Sequence, residues 1–139
     1  FFVADLNDLN KIAHLPQSTI HIVIKKEEYS WLASICNWGI ACNWFGSDLD
    51  ALENLPALQE DYKNYYHFWE RMENLFPDKV MVLSLEAMLA DFQYFTDRLS
   101  CFGFAPDCGG FVGKLRTVPQ SPQNREKSIT RKDIEKALL

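Results

Sequence analysis

Two short apolar runs set the frame for this chain. Thr19-Ile20-His21-Ile22-Val23-Ile24 is β-branched, follows Pro16 and stops at Lys25-Lys26, and Lys79-Val80-Met81-Val82-Leu83-Ser84-Leu85 follows the turn Phe76-Pro77-Asp78. Runs of this length and composition predict buried strands at about 19–25 and 79–85. The residues between them have a different period. Trp31, Ile35, Trp38, Cys42 and Phe45 step by three and four from Tyr29 onward, which predicts a helix with one apolar stripe. After a break at Gly46-Ser47-Asp48 and a loop around Leu55-Pro56, Tyr62, Tyr65, Trp69, Met72 and Phe76 repeat that spacing. Met88, Phe92, Phe95, Leu99 and Phe102 mark a third helix closed by Gly103, and a short last helix is expected from about Thr130 to Leu139. Apolar strands alternating with amphipathic helices imply an α/β domain on a mainly parallel sheet flanked by helices, so the two strands are expected to run parallel. Ligands of such sheets sit beyond the carboxyl ends of the strands. Here that place is the Lys25-Lys26 corner.

A chain of 139 residues has room for one core, so 1–139 reads as a single domain. Two strands make a poor sheet. Phe1-Phe2-Val3 is a candidate third strand, and its apolar start without Met predicts a partial domain that lacks its N-terminal strands. An open sheet edge in such a chain is expected to promote self-association. The aromatic stripe Tyr62, Tyr65, Trp69 is expected in the core, and His21 and His67 are expected to be structural.

Charge and cysteine content narrow the partners. With 14 Lys and Arg against 19 Asp and Glu, the net charge is -5, which argues against nucleic acid or anionic lipid as partner. The balance is uneven, because residues 112–139 carry seven of the basic residues and only three acids. That segment is a local anion-site candidate. No apolar run approaches the ~20 residues of a membrane span, and no leader precedes a cleavage site, which leaves the compartment open with the cytoplasm favoured. Cys36, Cys42, Cys101 and Cys108 form no C-x-x-C pair for zinc or redox exchange, and Cys36 and Cys101 fall inside apolar patterns as small core residues. Gly109-Gly110-Phe111-Val112-Gly113-Lys114 lacks the glycine spacing, the following Ser or Thr and the preceding strand of a triphosphate loop.

The strand-to-helix corner is the most informative segment. Lys26-Glu27-Glu28-Tyr29-Ser30-Trp31-Leu32-Ala33-Ser34 puts a cation at the strand end and hydroxyls at the helix start, beside unpaired backbone N–H groups, an arrangement that suits a phosphate. This string resembles the 3′-phosphate-binding motif of the sulfotransferase family, in which an Arg or Lys precedes a Ser by eight residues. A second block, from Trp69 through Pro77 to Val80-Met81-Val82-Leu83-Ser84-Leu85-Glu86-Ala87-Met88-Leu89, is similar to the family's strand ending in Tyr-Glu-Asp-Leu-Leu. Phe102-Gly103-Phe104 stands where a Phe-Leu-Gly-like helix end usually comes. The resemblance covers about Thr19 to Phe104. It implies a P-loop-NTPase-like sulfotransferase fold and transfer of a sulfuryl group from 3′-phosphoadenosine-5′-phosphosulfate to a hydroxyl or amine of a small-molecule or carbohydrate acceptor.

The resemblance also assigns residues. Lys26 and Ser34 would bind the 3′-phosphate, and Lys114, Arg116, Arg125 and Lys127 fall where such enzymes bring a basic C-terminal loop over the cosubstrate. His14, in Lys11-Ile12-Ala13-His14-Leu15-Pro16, is similar to the catalytic His of a Lys-x-His-Leu-Pro segment, with one residue inserted. Glu86 corresponds to an acid that orients neighbouring backbone. Against the family pattern, Glu27 and Glu28 place two carboxylates where a phosphate needs positive potential, and no Gly-rich basic loop for the 5′-phosphosulfate occurs in these residues. The alternative is a non-catalytic α/β interaction module that kept the corner and the core.

Overall fold

The structure, a computed structural model, describes residues 3–104 and 128–139. Along these the elements are α1 (Leu6–Ile12), β1 (His21–Lys25), α2 (Glu28–Ala41), α3 (Asp48–Glu53), α4 (Leu55–Leu75), β2 (Val80–Ser84), α5 (Leu85–Ala90), α6 (Phe92–Ser100) and α7 (Arg131–Leu138). β1 and β2 pair in parallel, with His21 opposite Val80 and Lys25 opposite Ser84. The architecture is α/β, with helices around a small two-stranded parallel sheet. Val3 does not join it, and Phe1 and Phe2 lie outside the described residues.

Helix boundaries follow local chemistry more than apolar spacing. α2 stops at Ala41, short of Phe45, because Asn43 takes a left-handed φ of 60° and turns the chain back. The N–H groups of Trp44 and Phe45 then donate to the Gly39 carbonyl, and the Phe45 ring lies 2.5 Å from where a Cβ on Gly39 would be. Only glycine admits that ring. The expected loop around Leu55-Pro56 is instead the first turn of α4, where proline's fixed φ and missing N–H cost nothing. The third helix is broken in two at Asp91, which is extended (φ -144°, ψ 102°) and accepts from the Gln93 N–H as an N-cap. Gly103, at φ +77°, closes α6 as expected.

Two buried clusters position everything else. In the first, Val23 and Val80 of the sheet meet Tyr62, Tyr66, Trp69 and Met72 of α4, with Leu6 of α1 beneath. Tyr62 and Trp69 are core as expected, but Tyr65 is 55% exposed, because the buried row of α4 runs through Tyr66 instead. His21 is structural in the sense expected: its Nε2 lies 2.8 Å from Asn10 Oδ1 and its ring stands 5.4 Å from Trp69. His67 is exposed on α4. The second cluster joins Leu32, Ala33 and Cys36 of α2 to Ala51, Leu55, Ile129 and Ile134. It docks the C-terminal segment onto the helix that follows β1. Cys36 is buried as expected, and burial pushes its thiol up to about 11. Cys101 is exposed, because it sits past the end of α6, where the helical stripe no longer faces the core. Cys108 lies outside the described residues.

Candidate functional site

The corner where β1 hands over to α2 gathers more hydrogen bonds between distant segments than sequence spacing suggests. Lys26 follows the last strand residue, and its Nζ donates to Ser34 Oγ at 2.6 Å. Ser34 lies on the exposed side of α2, two turns in, so a cation at the strand end reaches back along the helix to it. The backbone here is fixed from below. Tyr62 donates its hydroxyl to the Lys26 carbonyl at 2.6 Å, and Tyr66 donates to the Ile24 carbonyl at 3.2 Å. Burial, with smaller contributions from Tyr66 and nearby carboxylates, pushes the Tyr62 phenol up to about 12, so it remains a donor. Lys25 turns the other way, ion-paired to Glu70 and lying over the Tyr66 ring.

Glu27 does what neither its charge nor its position advertises. It is the N-cap of α2, and its carboxylate accepts from the Tyr29 N–H at 3.2 Å and the Ser30 N–H at 2.9 Å. The same carboxylate accepts from Arg131, with Nε at 3.2 Å and Nη2 at 3.4 Å. Burial alone would raise the Glu27 carboxyl. Arg131 and the Ser30 and Tyr29 N–H groups outweigh it and hold the carboxyl down at about 2. Arg131 also lies over the Tyr29 ring and pairs with Glu135. Its place is set by the capping box of α7, in which Thr130 and Asp133 exchange hydrogen bonds. Glu28 is occupied by Gln59, whose side-chain amide donates to it at 2.5 Å.

Behind the corner stands the end of β2. The Glu27 N–H donates to Glu86 Oε1 at 3.0 Å, and the Ser84 hydroxyl lies 3.5 Å from Glu86 Oε2 while accepting from the Ala87 N–H at 3.1 Å. Glu86 therefore orients the backbone that enters α2. The two strand ends thus meet through a carboxylate, two residues beyond the last ladder pair on each strand.

Lys26, Ser34 and Glu86 are brought together with Glu27 and Arg131. His14 is elsewhere in the chain's organisation: it follows α1 with a left-handed φ of 55°, is exposed, and its backbone N–H closes the helix end on Lys11. Lys114, Arg116, Arg125 and Lys127 lie outside the described residues. Sequence reading did not single out Arg131. The available signal was Thr130-x-x-Asp133, which fixes a helix start and therefore the exit angle of its first residue. Among the described residues no group of His, Cys, Asp and Glu could hold a metal ion, and no helix is long and apolar enough to cross a membrane. No protein-family model, curated protein or solved structure matches this chain.

The arrangement offers an anion one ammonium, one hydroxyl and a nearby guanidinium at the start of a helix. It also sets one anion in place already, the Glu27 carboxylate, on the donors that a ligand at the very first turn would use. An anion approaching this corner would therefore meet Lys26 and Ser34 before the first N–H groups of α2, which Glu27 holds.

Proposed function

We propose that this chain carries the 3′-phosphate-binding half of a sulfotransferase-type site, in a P-loop-NTPase-like α/β fold, with 3′-phosphoadenosine-5′-phosphosulfate as cosubstrate. The observation that carries the reading is the 2.6 Å contact of Lys26 Nζ with Ser34 Oγ at the carboxyl end of a parallel strand. A phosphate oxygen inserted between them would accept from both, exchanging one neutral acceptor for a charged one. Lys114, Arg116, Arg125 and Lys127 are the further cations that the resemblance assigns to the cosubstrate, while His14, its candidate catalytic His, follows α1 and is not among the residues gathered at this corner. When bound, the cosubstrate supplies the sulfuryl group, and the acceptor is a hydroxyl or amine of a small molecule or carbohydrate. In this reading the chain's own contribution is to bind and orient, through Lys26 and Ser34 held by the Tyr62, Tyr66 and Glu86 contacts beneath them.

One observation favours the non-catalytic interaction module instead. Glu27 already satisfies the first N–H groups of α2 and neutralises Arg131. Titration calorimetry at low salt separates the two. Binding of 3′-phosphoadenosine-5′-phosphate should exceed that of the analogue without a 3′-phosphate. A charge-assisted hydrogen bond contributes about 1.5–3 kcal/mol, so Lys26→Ala should weaken binding roughly tenfold or more. Equal affinity for the two ligands, or no heat from either with folded protein, gives the interaction module.

A further inference from the structure

The two edges of the sheet are finished differently. The His21 N–H donates to the Lys79 carbonyl at 2.8 Å, which fixes the alternation: the backbone groups of His21, Val23 and Lys25 face β2, and those of Ile22 and Ile24 face away. On β2 the groups facing away belong to Val80, Val82 and Ser84. Each of their N–H groups has a partner, namely the Phe76 carbonyl at 2.9 Å, the Glu73 carboxylate at 2.5 Å and the Tyr94 hydroxyl at 3.4 Å. Arg98, ion-paired to Glu73 at 3.0 Å, donates to the Val82 carbonyl at 3.3 Å. Side chains occupy the place a third strand would take.

Among the described residues the β1 edge has no such seal. Among the described residues the Ile24 carbonyl is engaged by Tyr66, and no partner meets the Ile22 N–H, the Ile22 carbonyl or the Ile24 N–H. The side chains match. Ile20, Ile22 and Ile24 are 38%, 43% and 48% exposed, while Met81 and Leu83, beside Ile22 and Ile24 on β2, are 1% and 0% exposed. Among the described residues, whatever covers β2 on this face stops at β1. Unpaired main-chain groups beside a β-branched apolar row form a template for another strand.

We propose that a second copy of this chain occupies this edge, β1 pairing antiparallel with β1 about a two-fold axis through Ile22. The hydrogen-bond pattern is self-complementary, since Ile22 presents both its N–H and its carbonyl and can exchange both with the same residue of the copy. Two residues out, Ile24 falls opposite Ile20 of the copy, so the apolar row faces itself. Its carbonyl retains a second lone pair beside the Tyr66 bond. Charge selects the direction: antiparallel pairing sends the two Lys25-Lys26 corners to opposite ends, each beside uncharged Ser18-Thr19, whereas parallel pairing would stack lysine on lysine. The row is short, so the dimer is reversible and concentration-dependent. This inference is independent of the anion-site reading.

Sedimentation velocity over a wide concentration range tests it on the 139-residue chain, on Ile22→Lys, on Ile22→Glu and on an equimolar mixture of the two variants. The native chain should show a monomer–dimer equilibrium. Residue 22 meets itself on the axis, so each charged variant should associate at least about tenfold more weakly, and mixing Ile22→Lys with Ile22→Glu should restore association. Ile22 contributes nothing to the buried clusters, and circular dichroism checks that the variants fold. Ile22→Thr keeps the β-branched shape and, should the charged variants unfold, is expected to weaken association severalfold. A native chain that stays monomeric, association unchanged by any of these substitutions, or a mixture that fails to recover overturns the proposal. So does a monomer that takes up an unrelated extended peptide along this edge, which would assign the site to another partner.

Discussion

Replacing Glu27 by Asn should move stability and anion affinity in opposite directions. The carboxylate has two jobs, capping α2 through the Tyr29 and Ser30 N–H groups and pairing with Arg131. Asn keeps the first, being among the best N-cap residues. The second is a surface pair, with side chains 50% and 37% exposed, and such pairs are worth about 0.2–1 kcal/mol. Glu27→Asn should therefore cost no more than about 1 kcal/mol, whereas Glu27→Ala, which also removes the cap, should cost about 1–3 kcal/mol. Binding should respond the other way. Removing a unit charge ~6 Å from a phosphate monoester carrying about two charges, at an effective dielectric of ~40–80, relieves ~1.4–2.8 kcal/mol, a gain of about ten- to hundredfold in affinity. Urea denaturation reads the first quantity and calorimetry with 3′-phosphoadenosine-5′-phosphate the second. The affinity gain should shrink at high salt as screening shortens the range of the charge. An affinity that falls in Glu27→Asn shows that Glu27 helps to hold the ligand and refutes the electrostatic reasoning. Equal destabilisation by Asn and Ala refutes the capping argument.

Four further outcomes are expected. Burial lowers the His21 pKa, so the unfolded chain takes the proton first; this contribution to stability is fully present above about pH 6.5 and declines below it, and His21→Gln should flatten that part of a urea-midpoint profile. The Glu27 contribution follows the carboxylate rule, present above the ordinary value of 4.5 and lost as pH falls toward about 2. Glu73→Ala leaves the Val82 N–H and the half-buried Arg98 without their shared carboxylate and should destabilise by about 1–3 kcal/mol in chemical denaturation; a change within error would show that water replaces it fully. Asn37 clasps Ile129 from both sides, donating to its carbonyl at 2.7 Å and accepting from its N–H at 3.1 Å. Asn37→Ala should raise amide exchange across 128–139 while leaving β1 and β2 protected, and uniform exchange throughout would contradict a separately docked segment.

What was legible in the sequence is what a period or a β-branched run can encode. The strands at 19–25 and 79–85 appear as His21–Lys25 and Val80–Ser84, in parallel, because short β-branched apolar runs between polar stops have few other places to go, but the expected burial holds for β2 and only for Val23 of β1. Helix ends were less legible. Asn43, Pro56 and Asp91 each decide a boundary through a single backbone conformation, and the apolar spacing runs across all three undisturbed. α1 carries too few periodic positions to stand out, yet Leu6 and Asn10 are buried because a second element lies over them, which a local pattern does not record.

The corner shows the same division more sharply. The resemblance pairs Lys26 with Ser34 through their eight-residue separation, and the structure joins them. Charge alone cast Glu27 as an intruder in a phosphate site. Its conformation makes it the cap that starts α2, and the residue that neutralises it lies 104 positions away, on a helix whose placement depends on Ile129 and Ile134 filling a gap against Leu32 and Cys36. A cap is read from the φ and ψ of one residue, and a long-range ion pair from the packing of two elements. The same carboxylate is thus both the structural start of the helix and the local counter-charge to any anion that binds beside it. This coupling lets one substitution, Glu27→Asn, test the fold and the function separately.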